Sequence, residues 1–169
     1  MNQGQPVALF TYGSLMFDAV WQRVTGIDKG LASRPRPARL TGYSRHAVAG
    51  QTYPALLLKP QAYVDGALYQ GIPQDILAVL DEFEGVDYQR VTARAQLTDQ
   101  SLAEPIVFTS DGSWSQGAFE AGEAGDFLDA EVYLFVAGNG ALPQPWSVQR
   151  FAQTGMAKFM AQYVCFSRG

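Results

Sequence analysis

The stretch Pro37–Ile72, PARLTGYSRHAVAGQTYPALLLKPQAYVDGALYQGI, decides the fold. PARLTGYSRHAVAG reads as a strand interrupted at Gly42, where a bulge is expected. PALLL and AYVDGALYQGI read as two further strands, with Gly66 placed for a bulge or a close backbone approach. No helical period separates these runs. Strands that follow one another directly argue against a doubly wound parallel sheet, in which strands alternate with helices.

Outward from this stretch the pattern stays β-rich. Val7 to Tyr12 forms a first strand around the apolar run VALF. Met16, Val20 and Val24, with Trp21 beside them, give a short helix closed by Gly26. Pro73 opens PQDILAVLDEFEG, whose Ile76, Leu80 and Phe83 share a face with Leu77 adjoining; Gly85 stops it. YQRVTARAQL alternates as a half-buried strand does. In DFLDAEVYLFVAG, Ala130, Val132, Leu134 and Val136 lie on one face. Met156, Phe159, Met160 and Tyr163 are spaced for a C-terminal helix, which Gly155 weakens at its start. The fold class is α+β with few helices, in one domain over residues 1–169. A Gly- and acid-rich segment, 101–126, reads as a long surface loop or insertion.

The hydrophobic fraction of 47% suffices for a real core in a chain of 169 residues. A net charge of −4 supplies no pull toward nucleic acid or anionic membrane. No run has the length of a membrane span, and the first residues lack the basic and apolar regions of a signal peptide. A soluble, cytoplasmic protein is expected. With Cys165 as the one cysteine, no intrachain disulfide or Cys-based zinc site can form. The basic SRPRPAR segment, with Arg34, Arg36 and Arg39 ahead of Arg45, suits an extended, edge-protecting stretch; the alternative is a contact with a substrate carboxylate.

Several chemistries are missing. No G-x-S-x-G elbow, HExxH pair or phosphate-cradling G-x-x-x-x-G-K-[ST] occurs. His46 falls on a strand and reads as structural. An enzyme built on this chain is expected to work without metal, cofactor, His base or nucleophile of its own.

Two stretches look unlike plain scaffold. In Phe10–Met16, FTYGSLM, a strand ends in Tyr-Gly-Ser and turns at once into apolar residues. Gly13 at such a strand end permits a tight turn with positive φ and a close ligand approach. The turn either connects strand to helix or lines up backbone N–H groups for an anion or oxyanion. A β-carbon at Gly13 would then crowd those donors. In Leu80–Arg90, LDEFEGVDYQR, Asp81, Glu82 and Glu84 crowd a helix C-terminus, where the dipole and mutual repulsion favour the neutral acid. A carboxyl raised this way suits general acid–base work near neutral pH. The alternative is a solvated acidic end relieved by Arg90. Glu84, against Gly85, is best placed to point into a cleft.

Taken together, Tyr12-Gly13-Ser14-Leu15 and Leu80–Arg90 resemble the γ-glutamylcyclotransferase-like family, in particular its avirulence-induced-gene-like and γ-glutamylamine cyclotransferase branch. ARLTGYSRHAV, YPALLL, VDGALYQGI and AEVYLF are similar to the family's strands in the same order. The 101–126 segment departs from the compact pattern. The resemblance implies a small, mixed β-barrel-like sheet with a few flanking helices. It implies a small γ-glutamyl substrate whose own α-amine attacks its γ-carbonyl, releasing 5-oxoproline and an amine or amino acid. Orientation then supplies much of the rate. Glu84 matches the family's catalytic glutamate. Tyr12, Gly13, Ser14, Leu15, Tyr88 and Tyr133 are the implied substrate-binding residues, although Tyr88 and Tyr133 equally suit a core with satisfied hydroxyls. A glutathione-degrading enzyme and a non-catalytic binder of an amino-acid-like ligand remain the alternatives.

Overall fold

Two long antiparallel strands, β2 (Arg36–Val48) and β3 (Pro54–Ile72), frame the molecule in this computed structural model, which describes residues 6–26, 36–97, 127–137, 140–146, 150–155, 157–158 and 161. The other elements are β1 (Val7–Thr11), α1 (Asp18–Thr25), α2 (Gln74–Glu84), β4 (Tyr88–Leu97), β5 (Phe127–Phe135) and β6 (Ala141–Pro145). Strand order is β3-β1-β5-β4-β2, and β2 also pairs with β3. That last pairing closes five strands into a barrel, with β6 added along β2. β1 runs parallel to β5 and antiparallel to β3, so the barrel is mixed.

PALLL and AYVDGALYQGI are one strand rather than the two expected. Leu58 pairs with Tyr43 and Tyr63 with Thr41, so Lys59 to Ala62 lie opposite Gly42 alone. Pro60 costs the ladder nothing there, because no β2 partner awaits its missing N–H. Gly42 supplies the bulge with φ 95°. Gly66 marks a close approach: a β-carbon would come 2.2 Å from the Thr11 carbonyl oxygen.

The apolar run VALF packs on both faces, with Leu9 and Phe10 fully buried and Val7 and Ala8 partly so. Leu9 joins a cluster with Trp21, Val24, Tyr69, Leu77, Leu80 and Phe151, while Phe10 joins Leu40, Leu56, Leu68, Ala95 and Val132 inside the barrel. β5 divides in the same way: Ala130, Val132 and Leu134 share one face as expected and join the second cluster, while Tyr133 on the other face joins the first. Val136 lies beyond the strand and is exposed. Trp21 stacks on Tyr69 with centroids 3.8 Å apart, and the Tyr69 hydroxyl donates to the Leu15 carbonyl at 3.0 Å. This anchors α1 and the Gly-Ser turn to β3.

Both helix stops fall at the expected glycines, Gly26 with φ 74° and Gly85 with φ 73°. A wide helical turn occupies Phe151–Gly155. The expected helical face of Met156, Phe159, Met160 and Tyr163, together with Arg34, Cys165 and the 101–126 segment, lies outside the described residues. Among the described residues, no helix is long and apolar enough to cross a membrane.

Candidate active site

All seven residues singled out in the sequence line one pocket of about 350 Å³ at the end of the barrel. Tyr12, Gly13, Ser14 and Leu15 come from the turn after β1, Glu84 from the end of α2, Tyr88 from the start of β4 and Tyr133 from β5. Phe10, Thr11, Tyr53 and Pro54 complete the lining. These four were read only as strand, or passed over, since nothing in Tyr53-Pro54 marks it as more than an extended X-Pro step. An adjoining recess of about 540 Å³ shares Ser14, Tyr53, Glu84 and Tyr88 and is bounded further by Phe83, Val86 and Asp87.

Gly13 has φ −143°, so the expected positive φ is not what the turn uses. Its need for glycine is steric. A β-carbon there would lie 2.5 Å and 2.7 Å from Pro54 Cγ and Cδ, which the stiff ring cannot easily yield. The crowding expected against backbone donors falls instead on Pro54. Met16 and Phe17 donate back to the Gly13 and Ser14 carbonyls at 3.0 and 3.1 Å. The N–H groups of Gly13, Ser14 and Leu15 precede this first bonded turn, as the leading N–H groups of any helix do.

The acidic helix end divides into three different fates. Asp81 accepts from Arg90 Nε at 2.8 Å and Nη2 at 3.2 Å, and from the Tyr133 hydroxyl at 2.8 Å. Arg90 also donates to Glu131 at 2.6 Å. Glu82 is exposed. Glu84 has neither an ion pair nor a hydrogen bond among the described residues, and burial, then the Asp81 charge, pushes its pKa up to about 8. Relief by Arg90 therefore holds for Asp81 and leaves Glu84 aside. Gly85 makes this possible: with φ 73° and ψ −161°, a glycine conformation, it ends α2 immediately after Glu84.

The three tyrosine hydroxyls are all engaged by protein. Tyr12 donates to the Tyr133 carbonyl, Tyr88 to the Pro54 carbonyl at 2.6 Å, and Tyr133 to Asp81. Burial is the main cause raising all three phenols, so they stay protonated at physiological pH. With its proton committed, each phenol oxygen offers a ligand lone pairs rather than a donor.

The basic segment is dispersed. Arg39 pairs with Asp65 at 2.7 Å and lies over Tyr63, and Arg45 donates to the Tyr12 carbonyl at 2.8 Å. His46 bonds Ser44 at 2.6 Å and the Leu142 carbonyl at 2.9 Å, tying β2 to β6 away from the pocket. Among the described residues no cluster of His, Cys, Asp and Glu could hold a metal ion.

The family model for Gamma-glutamyl cyclotransferase, AIG2-like, matches residues 9–144. AIG2-like protein D of Arabidopsis thaliana is 38% identical over 94 residues, covering 56% of this chain and 59% of that protein. AIG2-like protein C of the same plant is 36% identical over 94 residues, 55% of this chain and 52% of that one. The chain thus spans little more than half the length of these curated relatives. An Arabidopsis thaliana protein solved in solution shares the fold with a TM-score of 0.62 at 22% identity, over 96% of this chain and 82% of that one. A solved Gamma-glutamyl cyclotransferase shares it with a TM-score of 0.57 at 15% identity, over 94% and 86%.

Proposed function

The chain belongs to the γ-glutamyl cyclotransferase, AIG2-like family, whose substrates are small γ-glutamyl compounds, and from that premise we propose that it converts such a compound into 5-oxoproline and a free amine or amino acid. Glu84 is the general acid–base. Its carboxylate takes a proton from the substrate's α-ammonium, and the freed amine attacks the γ-carbonyl carbon, forming the ring C–N bond. The tetrahedral intermediate then collapses, the bond to the leaving nitrogen breaks as that nitrogen receives the proton from Glu84, and the ring nitrogen's second proton passes through the freed carboxylate to the released amine, which leaves as an ammonium.

The observation that carries this reading is the Glu84 carboxyl itself: it lines the same pocket as the Tyr12–Leu15 turn, has no hydrogen-bond or ion-pair partner among the described residues, and titrates near pH 8. A base that must both accept and return a proton works best close to the ambient pH. Two further features support the assignment. The phenol oxygens of Tyr12, Tyr88 and Tyr133 present lone pairs suited to an ammonium, and the N–H groups of Gly13, Ser14 and Leu15 suit a carboxylate or oxyanion. The adjoining recess gives the leaving group a place outside the glutamyl pocket.

The test is 5-oxoproline release from γ-glutamyl-lysine, γ-glutamyl-alanine and glutathione, wild type beside Glu84→Gln. Release by wild type, reduced at least about a hundredfold in the variant, is expected for a general base. Equal release by both proteins refutes Glu84. Binding without release by wild type identifies a binding protein on this fold instead.

A further inference from the structure

We infer that Arg45 is a positioning residue that fixes the Tyr12–Gly13 peptide from behind and strengthens the Gly13 N–H as a donor to the ligand. The inference rests on the reading that this turn binds the γ-glutamyl group. Arg45 lies on β2 opposite Leu56, which is fully buried. Its Nη1 donates to the Tyr12 carbonyl at 2.8 Å, and its guanidinium sits 5.4 Å from the centre of the Trp146 ring. Burial draws its pKa down to about 10, against the opposing effects of Asp65 and Tyr12. Among the described residues no carboxylate makes an ion pair with it, since Asp65 is taken bidentate by Arg39.

A partly buried cation with no ion pair of its own among the described residues carries a desolvation cost, and a scaffold has no need of one where an apolar residue would pack. This one is directed at a single peptide unit. Carbonyl and N–H point in opposite directions across a trans peptide plane. Holding the Tyr12 oxygen toward Arg45 therefore turns the Gly13 N–H away from it. Gly13 lines the pocket and Arg45 does not, so the guanidinium and the ligand address opposite sides of the same peptide. A glycine has little torsional preference of its own, so this bond adds a restraint that the peptide plane would otherwise lack. A charged donor on the carbonyl also polarises the amide and improves the N–H on its far side.

The experiment compares Arg45→Met and Arg45→Lys with wild type in three readouts: the Gly13 amide proton shift by NMR, turnover of the same three γ-glutamyl compounds, and melting temperature. Arg45→Met is expected to move the Gly13 amide proton upfield and to lower kcat/KM about tenfold, the scale of one charge-assisted hydrogen bond. Arg45→Lys, which keeps a charged donor, should recover most of both. If the Met variant does not fold, the Lys variant alone decides: a displaced Gly13 amide with a partial loss of turnover supports the inference. An unmoved Gly13 amide in folded Arg45→Met overturns it, as does a moved amide with unchanged kcat/KM, or a Lys variant displaced as far as the Met one. Absence of turnover in wild type refutes the enzymatic reading instead. Arg45 is then judged on the amide shift and on whether 5-oxoproline, titrated into each protein, moves the Gly13 resonance less in Arg45→Met than in wild type.

Discussion

Replacing Glu84 by Gln should make the protein more stable in alkali and leave it unchanged in acid. The Glu84 carboxyl titrates at about 8 in the folded state against a reference value of 4.5. A carboxyl whose folded pKa is raised contributes stability that is fully present below the unfolded pKa and lost as pH rises through the folded one. The window is thus about pH 4.5 to 8. At about 1.36 kcal/mol per pH unit, the gap amounts to ~5 kcal/mol. Water entering the pocket and local relaxation reduce that ceiling, so ~2–4 kcal/mol is expected. Gln has nearly the shape of the neutral acid and never ionises. Urea unfolding of both proteins at pH 4.5, 7 and 9 isolates the effect, because every other titrating group is common to the pair. The variant should match wild type at pH 4.5 and exceed it by ~2–4 kcal/mol at pH 9. A constant difference across the whole range would mean that Glu84 ionises as if in water, and the acid–base role would lose its physical basis.

Two further outcomes follow from neighbours of the same carboxyl. Because the Asp81 charge is the second cause raising Glu84, Asp81→Asn should move the inflection in kcat/KM from about pH 8 to lower pH; a profile that stays in place or moves up would remove Asp81 from the site's electrostatics. Gly13→Ala places a β-carbon against the Pro54 ring and should cost ~1–3 kcal/mol. Pro54→Gly should restore about 1 kcal/mol or more of that loss in the double variant, measured by denaturation, whereas strict additivity would show that the turn requires glycine for another reason.

Much of this architecture is written locally in the chain. Gly26 and Gly85 end their helices because each stop needs a backbone conformation only glycine adopts readily. Gly42 and Gly66 mark the bulge and the close approach for related reasons. Glu84 was legible because helix end, acidic neighbours and following glycine all bear on one carboxyl. What stayed hidden depends on partners distant in sequence. Lys59-Pro60-Gln61 looks like a break, and only the register against β2 shows the strand passing through it. Tyr53 and Pro54 reach the pocket through the tertiary fold alone: the register sets Ala67 beside Thr11, yet Pro54, thirteen residues earlier in the same strand, lies against Gly13. Arg45 sits among other arginines, and nothing local separates it from Arg39, which takes an ordinary carboxylate. The positive φ expected of Gly13 is not what the turn uses, and the room it needs is set by a ring forty-one positions along the chain.

The pocket gathers its lining from four separated parts of the chain, and the bond from the Tyr12 hydroxyl to the Tyr133 carbonyl spans 121 positions. A site of this kind has no existence in a half-formed barrel. Pairings between distant segments require large loop closures before they return any stabilisation, which places such topologies among the slower folders, in milliseconds to seconds. The same fact joins recognition to cooperativity. A ligand that needs both ends of the chain in place binds the closed barrel alone, so occupancy stabilises the barrel as a unit rather than one loop of it.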